Sequence, residues 1–166
     1  MSAVLVEAGP DKGAVWHFGE PVKEQRALEA GTAWADLSHH NIIAVSGQDR
    51  LKWLHDLTTQ FVSDLQPGVW MANMILDAKG HVEFQFNLVD DGTTTFLVLD
   101  PGYSEQLIEY LTKMKFMLRV DVSDASSQYA VLRAPGMPTE IGGPFALVPR
   151  DEVEEMKKTF GGVATQ

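Results

Sequence analysis

The sequence predicts an α+β fold in which an antiparallel sheet carries helices on one face. Three observations point there. Residues 81–89 alternate, with Val82, Phe84, Phe86 and Leu88 on one side and Glu83, Gln85 and Asn87 on the other, the period of a half-buried strand. Leu51, Leu54 and Leu57 recur every three residues beside Trp53, the spacing of one helical face. The segments run strand, helix, three strands, helix, two strands, an order that suits layered α+β architecture.

Taken in order, residues 1–10 are weakly patterned and read as an extended arm, followed by a short strand at Val15–Phe18. A helix is expected from Pro21 to Ala30, because proline suits a first helical turn and Gly31 stands just past the end. Trp34–Leu37 and Ile42–Val45 read as strands separated by a polar turn. Ser46 and Asp49 signal the cap of a helix running from Gln48 to about Gln60. Gln66-Pro67-Gly68 is a turn, and Trp70–Leu76, apolar on both faces, reads as a central strand. Asp77–Gly80 and Asp90-Asp91-Gly92 are hairpin turns around the alternating strand.

Thr94–Leu99 is a further strand, ended by Asp100-Pro101-Gly102. Leu107, Ile108 and Leu111 give a helix from Ser104 to Lys115 one apolar face, and Lys113 and Lys115 suit its C-terminal end. Strands follow at Leu118–Val122 and Tyr129–Arg133. The order amounts to an elaborated split βαβ, ferredoxin-like layer. Residues 134–144 are rich in proline and glycine; a strand at Phe145–Val148 and a helix at Asp151–Lys158, stopped by Gly161-Gly162, come after them. The expected division is an arm and helix over 1–34, an α+β domain over 35–134, and a connecting segment with a short helix over 135–166.

Composition narrows the function classes. The chain of 166 residues is 45% hydrophobic, which is ordinary for a globular domain and excludes a disordered tail. Its net charge of -10 repels phosphate backbones and anionic lipid, so neither nucleic acid nor a membrane surface is an expected partner. With no cysteine there is no disulfide, thiolate nucleophile or cysteine-held cluster. No long apolar run or leader pattern is present, and a cytoplasmic location is expected.

Each chemistry-bearing group has an ordinary reading beside it. His39 and His40 are adjacent on a turn near Asp36, and local spacing supplies no third ligand; a polar turn is expected and no metal site. His55 and Asp56 are neighbours on a helix and do not share a face. Ser38 lacks the nucleophile-elbow glycines, and Gly142-Gly143 lacks phosphate-loop spacing. Trp70, Phe84, Phe86 and Phe96 read as core, because a base-stacking platform pairs its aromatics with basic residues. Glu83, Gln85 and Asn87 share a polar face that is either solvated or, through Gln85 and Asn87, the lining of a cavity. Amides there offer both a donor and an acceptor to a planar heterocycle, above an apolar floor from Leu54, Met74 or Val98.

The wording of residues 35–82 adds a resemblance. Ala35-Asp36-Leu37-Ser38-His39 is followed by Val45, Gly47, Asp49-Arg50, Leu54 and Leu57-Thr58-Thr59. Next come Leu65, Pro67-Gly68, and then Ile75-Leu76-Asp77-Ala78 with Gly80 and Val82. Together these resemble the start of the glycine-cleavage T-protein (aminomethyltransferase) superfamily, closest to its tetrahydrofolate-binding branch linked to iron–sulfur cluster maintenance. The likeness continues more loosely to Pro149. It implies tetrahydrofolate as cofactor and a folate site formed by Leu54, Ala72, Gln85, Asn87, Val98 and Asp100. Aminomethyltransferases carry an Asp-Asp pair, one of whose carboxylates is catalytic; alignment on Leu76–Val82 puts Phe84 and Gln85 at those positions. An amide there holds a pterin but neither exchanges a proton nor steadies a cationic iminium.

The cysteine motif that the iron–sulfur branch carries further along is also missing. Family members run to roughly twice this length, a multi-domain scale, so the chain resembles an N-terminal portion. The expectation is therefore a folate-binding part that supports iron–sulfur proteins, is not an enzyme by itself, and pairs as a homodimer to cover apolar surface. An aminomethyltransferase and a small protein-interaction module are the alternatives.

Overall fold

The computed structural model describes residues 2–133, 145–160 and 163–165, without side chains for 159, 160 and 163–165. In chain order its strands are β1 (Val4–Leu5), β2 (Val15–His17), β3 (Ala33–Asp36), β4 (Asn41–Ser46), β5 (Met71–Leu76), β6 (Val82–Asp90), β7 (Thr94–Leu99), β8 (Asp121–Asp124), β9 (Tyr129–Arg133), β10 (Phe145–Pro149) and β11 (Val163–Thr165). Its helices are α1 (Pro21–Glu29), α2 (Arg50–Leu57), α3 (Ser104–Met114) and α4 (Val153–Phe160). The chain divides into two compact units, Asn41–Ser126, and Met1–His40 together with Ser127–Gln166.

The unit spanning 41–126 is a five-stranded antiparallel sheet in the order β5-β6-β7-β4-β8. β7 and β8 both run antiparallel to β4, which lies between them, so those two are parallel and joined through α3: a split βαβ unit, as expected. Both helices lie on one face. Trp53 and Leu54 of α2 and Leu107 and Leu111 of α3 pack with Ile43, Val45, Ile75, Phe86, Leu88, Leu97 and Leu99 from the sheet. The alternation of β6 holds from Phe84 to Leu88, whereas Val82 lies 54% exposed beyond the core.

The apolar strand β5 sits at an edge and not in the centre. Its outer side is closed by the segment after α2. Thr59 donates its N–H to the Met74 carbonyl at 3.0 Å, and the buried Asn73 side chain accepts the Gln60 N–H and donates to Thr58 Oγ1. An edge covered in this way tolerates an apolar strand. The strand expected at Leu118–Val122 begins three residues later, at Asp121. The cap expected from Ser46 and Asp49 does not form either: Asp49 is the N-cap without a side-chain bond to its helix, and Ser46 ends β4. The Asp49 carboxylate is occupied by the N–H and guanidinium of Arg119.

In the other unit the arm expected at residues 1–10 contains β1, paired in a hairpin with β2. Helix α1 starts at Pro21 and ends before Gly31, whose φ of +70° suits glycine just past a helix end. The four-stranded sheet runs β10-β9-β3-β11, and the parallel strand β11 was not expected. Trp34, Ala130, Leu132, Ala146 and Val148 form its core with Val153 of α4. The proline- and glycine-rich passage 134–144 and the stop at Gly161-Gly162 lie outside the described residues. Among the described residues no helix is long and apolar enough to cross a membrane.

Candidate functional site

Strand β6 is longer than its partner β7, and the candidate site follows from that mismatch. β6 pairs with β5 from Val82 to Leu88 but with β7 only from Asn87 onward, where Asn87 faces Val98. The sheet therefore forks below Asn87. Into the fork opens a cavity of about 210 Å³, lined by Glu83, Phe84 and Gln85 on one side and Leu99, Asp100 and Tyr103 on the other. The Pro101-Gly102 turn carries the chain away from the sheet, and Gly102 is held by its N–H on the Asn41 side-chain oxygen at 2.9 Å.

Register fixes which residues share the outer face. Ala72 stands opposite Asn87, and Met74 opposite Gln85, on β5 and β6. Val98 stands opposite Asn87 from the other side, so Ala72, Asn87 and Val98 form one row across three strands. Directly opposed side chains in such rows are about 5 Å apart. Gln85 is exposed, Asn87 and Met74 half-buried and Val98 buried; Asp100 reaches the fork from the end of β7. Four of the six residues implied by resemblance, Ala72, Gln85, Asn87 and Val98, thus lie on one face, and Gln85 and Asp100 line the cavity. Leu54 stands apart: it is fully buried in the helix-side core, on the opposite face from Gln85 and Asn87.

The electrostatics of the fork are acidic. Glu83 and Asp100 border it, and no lysine or arginine lines it among the described residues. Tyr110 of α3 lies against Phe84, with ring centroids 5.7 Å apart. Burial, and then the Glu83 charge, push the Tyr110 phenol above its usual value. Two carboxylates beside an amide accept hydrogen bonds readily, so the cavity suits a ligand edge rich in N–H donors. Its volume lies below the roughly 300 Å³ at which pockets for drug-sized ligands begin, so it holds one ring and not a large molecule.

At its far end β6 is anchored by a buried ion pair. Arg50 donates from Nε and Nη2 to the two Asp90 oxygens, both at 2.8 Å, and Thr95 Oγ1 and the Gly92 N–H donate to the same carboxylate. This clamp ties the start of α2 to the β6–β7 hairpin and so fixes the strands that diverge at the fork.

The family model of the GCVT N-terminal domain matches residues 3–139. The chain belongs to that family. Its fold is also similar to a solved structure, the glycine cleavage system aminomethyltransferase T from Bartonella henselae, with a TM-score of 0.64 at 18% identity. That match covers 78% of this chain and 36% of the solved one, and at this identity it shows the fold alone. No curated protein matches. The T-protein resemblance of the sequence is accordingly a membership of the superfamily through its N-terminal domain.

Within this T-protein domain, sequence reasoning missed Glu83, Leu99 and Tyr103 as cavity neighbours. The signal for Tyr103 was present in Asp100-Pro101-Gly102, a turn that ends β7 and is followed at once by Tyr103 at the cavity. It also missed a partner of His39. Asp11, on the loop of the β1–β2 hairpin, has a carboxylate oxygen 3.0 Å from His39 Nε2. Separation of 28 residues hid that contact from any local spacing rule.

Proposed function

We propose that the outer face of β5–β6–β7, centred on Gln85, is a tetrahydrofolate-binding surface, and that this chain supplies part of a folate site without catalysing transfer by itself. The observation that carries the reading is the fork: an amide and two carboxylates border a ring-sized cavity in a domain of the T-protein family. A pterin presents N–H donors and ring acceptors along one edge, which Gln85 and Asn87 complement in both senses. Ala72 and Val98 offer the ring an apolar neighbour, and Asp100 accepts from its donor edge. Leu54 supports the strand from beneath.

Transfer chemistry needs a group that exchanges protons or steadies a cation at the reacting carbon, and Gln85 does neither. Support of iron–sulfur proteins is the biological role the reading favours, on the wording of residues 35–82. Pairing of two copies is part of the same reading, because Phe116 and Met117 are each 87% exposed.

A second reading, aminomethyl transfer to tetrahydrofolate, is favoured by one observation: Glu83 and Asp100 bring carboxylates to the cavity that Gln85 borders. One experiment addresses both readings. Tetrahydrofolate is titrated calorimetrically into the native protein and into Gln85→Ala, and aminomethyl transfer is assayed with a carrier protein. The expected result is weak binding that Gln85→Ala lowers by about tenfold, the worth of a hydrogen-bonding amide, and no transfer. Transfer by the native protein that Asp100→Asn or Glu83→Gln abolishes would establish the second reading instead.

A further inference from the structure

The geometry points to a divalent transition-metal site formed by Asp11, His39 and His40. It is independent of the folate reading and shares no residue with the fork.

Donor atoms of the three side chains all lie within 4.8 Å of one another, and all three residues are partly buried. Tetrahedral zinc holds its nitrogen and oxygen ligands at about 2.0–2.2 Å, which places the ligands about 3.3 Å from each other. The His39 Nε2 to Asp11 Oδ1 separation of 3.0 Å is already close to one such edge. The rings of His39 and His40 meet edge to face, with centroids 4.7 Å apart, so the two adjacent imidazoles do turn toward one region.

Both supporting loops are fixed by their own hydrogen bonds. The His40 N–H donates to the Leu37 carbonyl at 2.9 Å. Asp36 Oδ1 accepts the Ser38 N–H, and the Ser38 carbonyl accepts from Arg150 Nη2. On the facing loop the Ala14 N–H donates to the Asp11 carbonyl at 2.9 Å, and the Gly13 N–H to the Val6 carbonyl. Ligands carried on two closed turns need little reorganisation to meet an ion. Two imidazoles and one carboxylate select zinc-like borderline ions over magnesium or calcium, which require oxygen sets. Three protein ligands leave a fourth position for water. The ion would fasten the β1–β2 hairpin to the turn after β3, and binding restricted to the folded state raises its stability.

The test titrates Zn²⁺ into the untagged, full chain by calorimetry, with Co²⁺ absorption to report coordination number and thermal melting to report linkage. The expected result is one Zn²⁺ per chain, tetrahedral Co²⁺ bands, a higher melting temperature with Zn²⁺, and no effect of Mg²⁺ or Ca²⁺. Asp11→Asn, His39→Gln and His40→Gln, each confirmed as folded by circular dichroism, weaken binding by at least about tenfold. His81→Gln, which removes the separate pair of His81 with Asp77, leaves it unchanged. Absence of binding by the native chain would overturn the site and leave a histidine–aspartate ion pair. Binding that survives loss of any one of the three residues would overturn the three-ligand assignment.

Discussion

Arg50 and Asp90 are 40 positions apart and meet with only 11% and 1% of their side chains exposed. Asp90 has four donors around it, so removing Arg50 leaves a buried carboxylate without its countercharge. Arg50→Ala is expected to cost about 3 kcal/mol, the lower end for breaking a buried pair, read as a shift of the urea midpoint. A loss below about 1 kcal/mol, the scale of an exposed pair, would show that water reaches the carboxylate. In the sequence Arg50 stood out within the family wording and Asp90 only as a turn residue. Nothing local linked them, because a long-range ion pair leaves no periodic trace. Gln85 and Asn87 were legible for the opposite reason: strand alternation alone places both on one face. Leu54 was legible only as a buried residue, since helix periodicity does not say against which face of a sheet a side chain packs.

At the scale of elements, the junction of β4 and α2 is the least forgiving point. Gly47 has a φ of +109°, and a Cβ there would stand 2.0 Å from the Arg119 carbonyl oxygen. Arg119 cannot retreat, because its N–H and guanidinium are bound to Asp49. Gly47→Ala therefore combines left-handed strain with a backbone clash, and about 3 kcal/mol or more of stability is expected to be lost in denaturant unfolding. Wild-type stability in that variant would mean the 119–120 backbone shifts freely. The same packing explains why the strand expected at Leu118–Val122 starts late. Residues 119 and 120 are held across the start of α2, Phe116 turns the chain at a φ of +48°, and pairing with β4 begins only at Asp121 opposite Ser46. Apolar alternation located the segment; a close backbone approach displaced the ladder. The edge position of β5 was hidden likewise, because its cover comes from residues 58–60, which carry no strand pattern.

Across the whole molecule, carboxylates decide the response to acid. Arg119 holds the Asp49 carboxyl below its usual range, and the His81 N–H does the same for Asp77. At Asp36 and Asp91 burial pushes upward, but Lys157 with Ser38, and the amides of Thr93 and Thr94, outweigh it and leave both lowered. A lowered folded-state value means stability that is complete above the unfolded value, about 3.9 for aspartate, and lost as pH falls through the folded value. Stability is thus expected to hold from pH 7 to about 4 and to fall below it, with relief of the -10 charge sustaining the upper plateau. Urea midpoints measured from pH 2 to 8 check this; a decline beginning above pH 5 would contradict it. The succession of strands and both helices along residues 41–126 was readable because hydrophobic period is local, whereas their places in the sheet were not. The fork was not, since it arises from two strands of unequal length.

The central claim, that the fork around Gln85 receives the pterin of tetrahydrofolate, is tested most directly by nuclear magnetic resonance. Tetrahydrofolate is added to ¹⁵N-labelled native protein while the side-chain NH₂ resonances of Gln85 and Asn87 are followed. A pterin seated in the fork moves these two together and saturably, with the backbone amides of Ala72 and Asp100, while the side-chain amide of Gln25 in the other unit stays still. Unmoved Gln85 and Asn87 resonances at saturating folate, or shifts confined to residues away from β5–β6–β7, would contradict it.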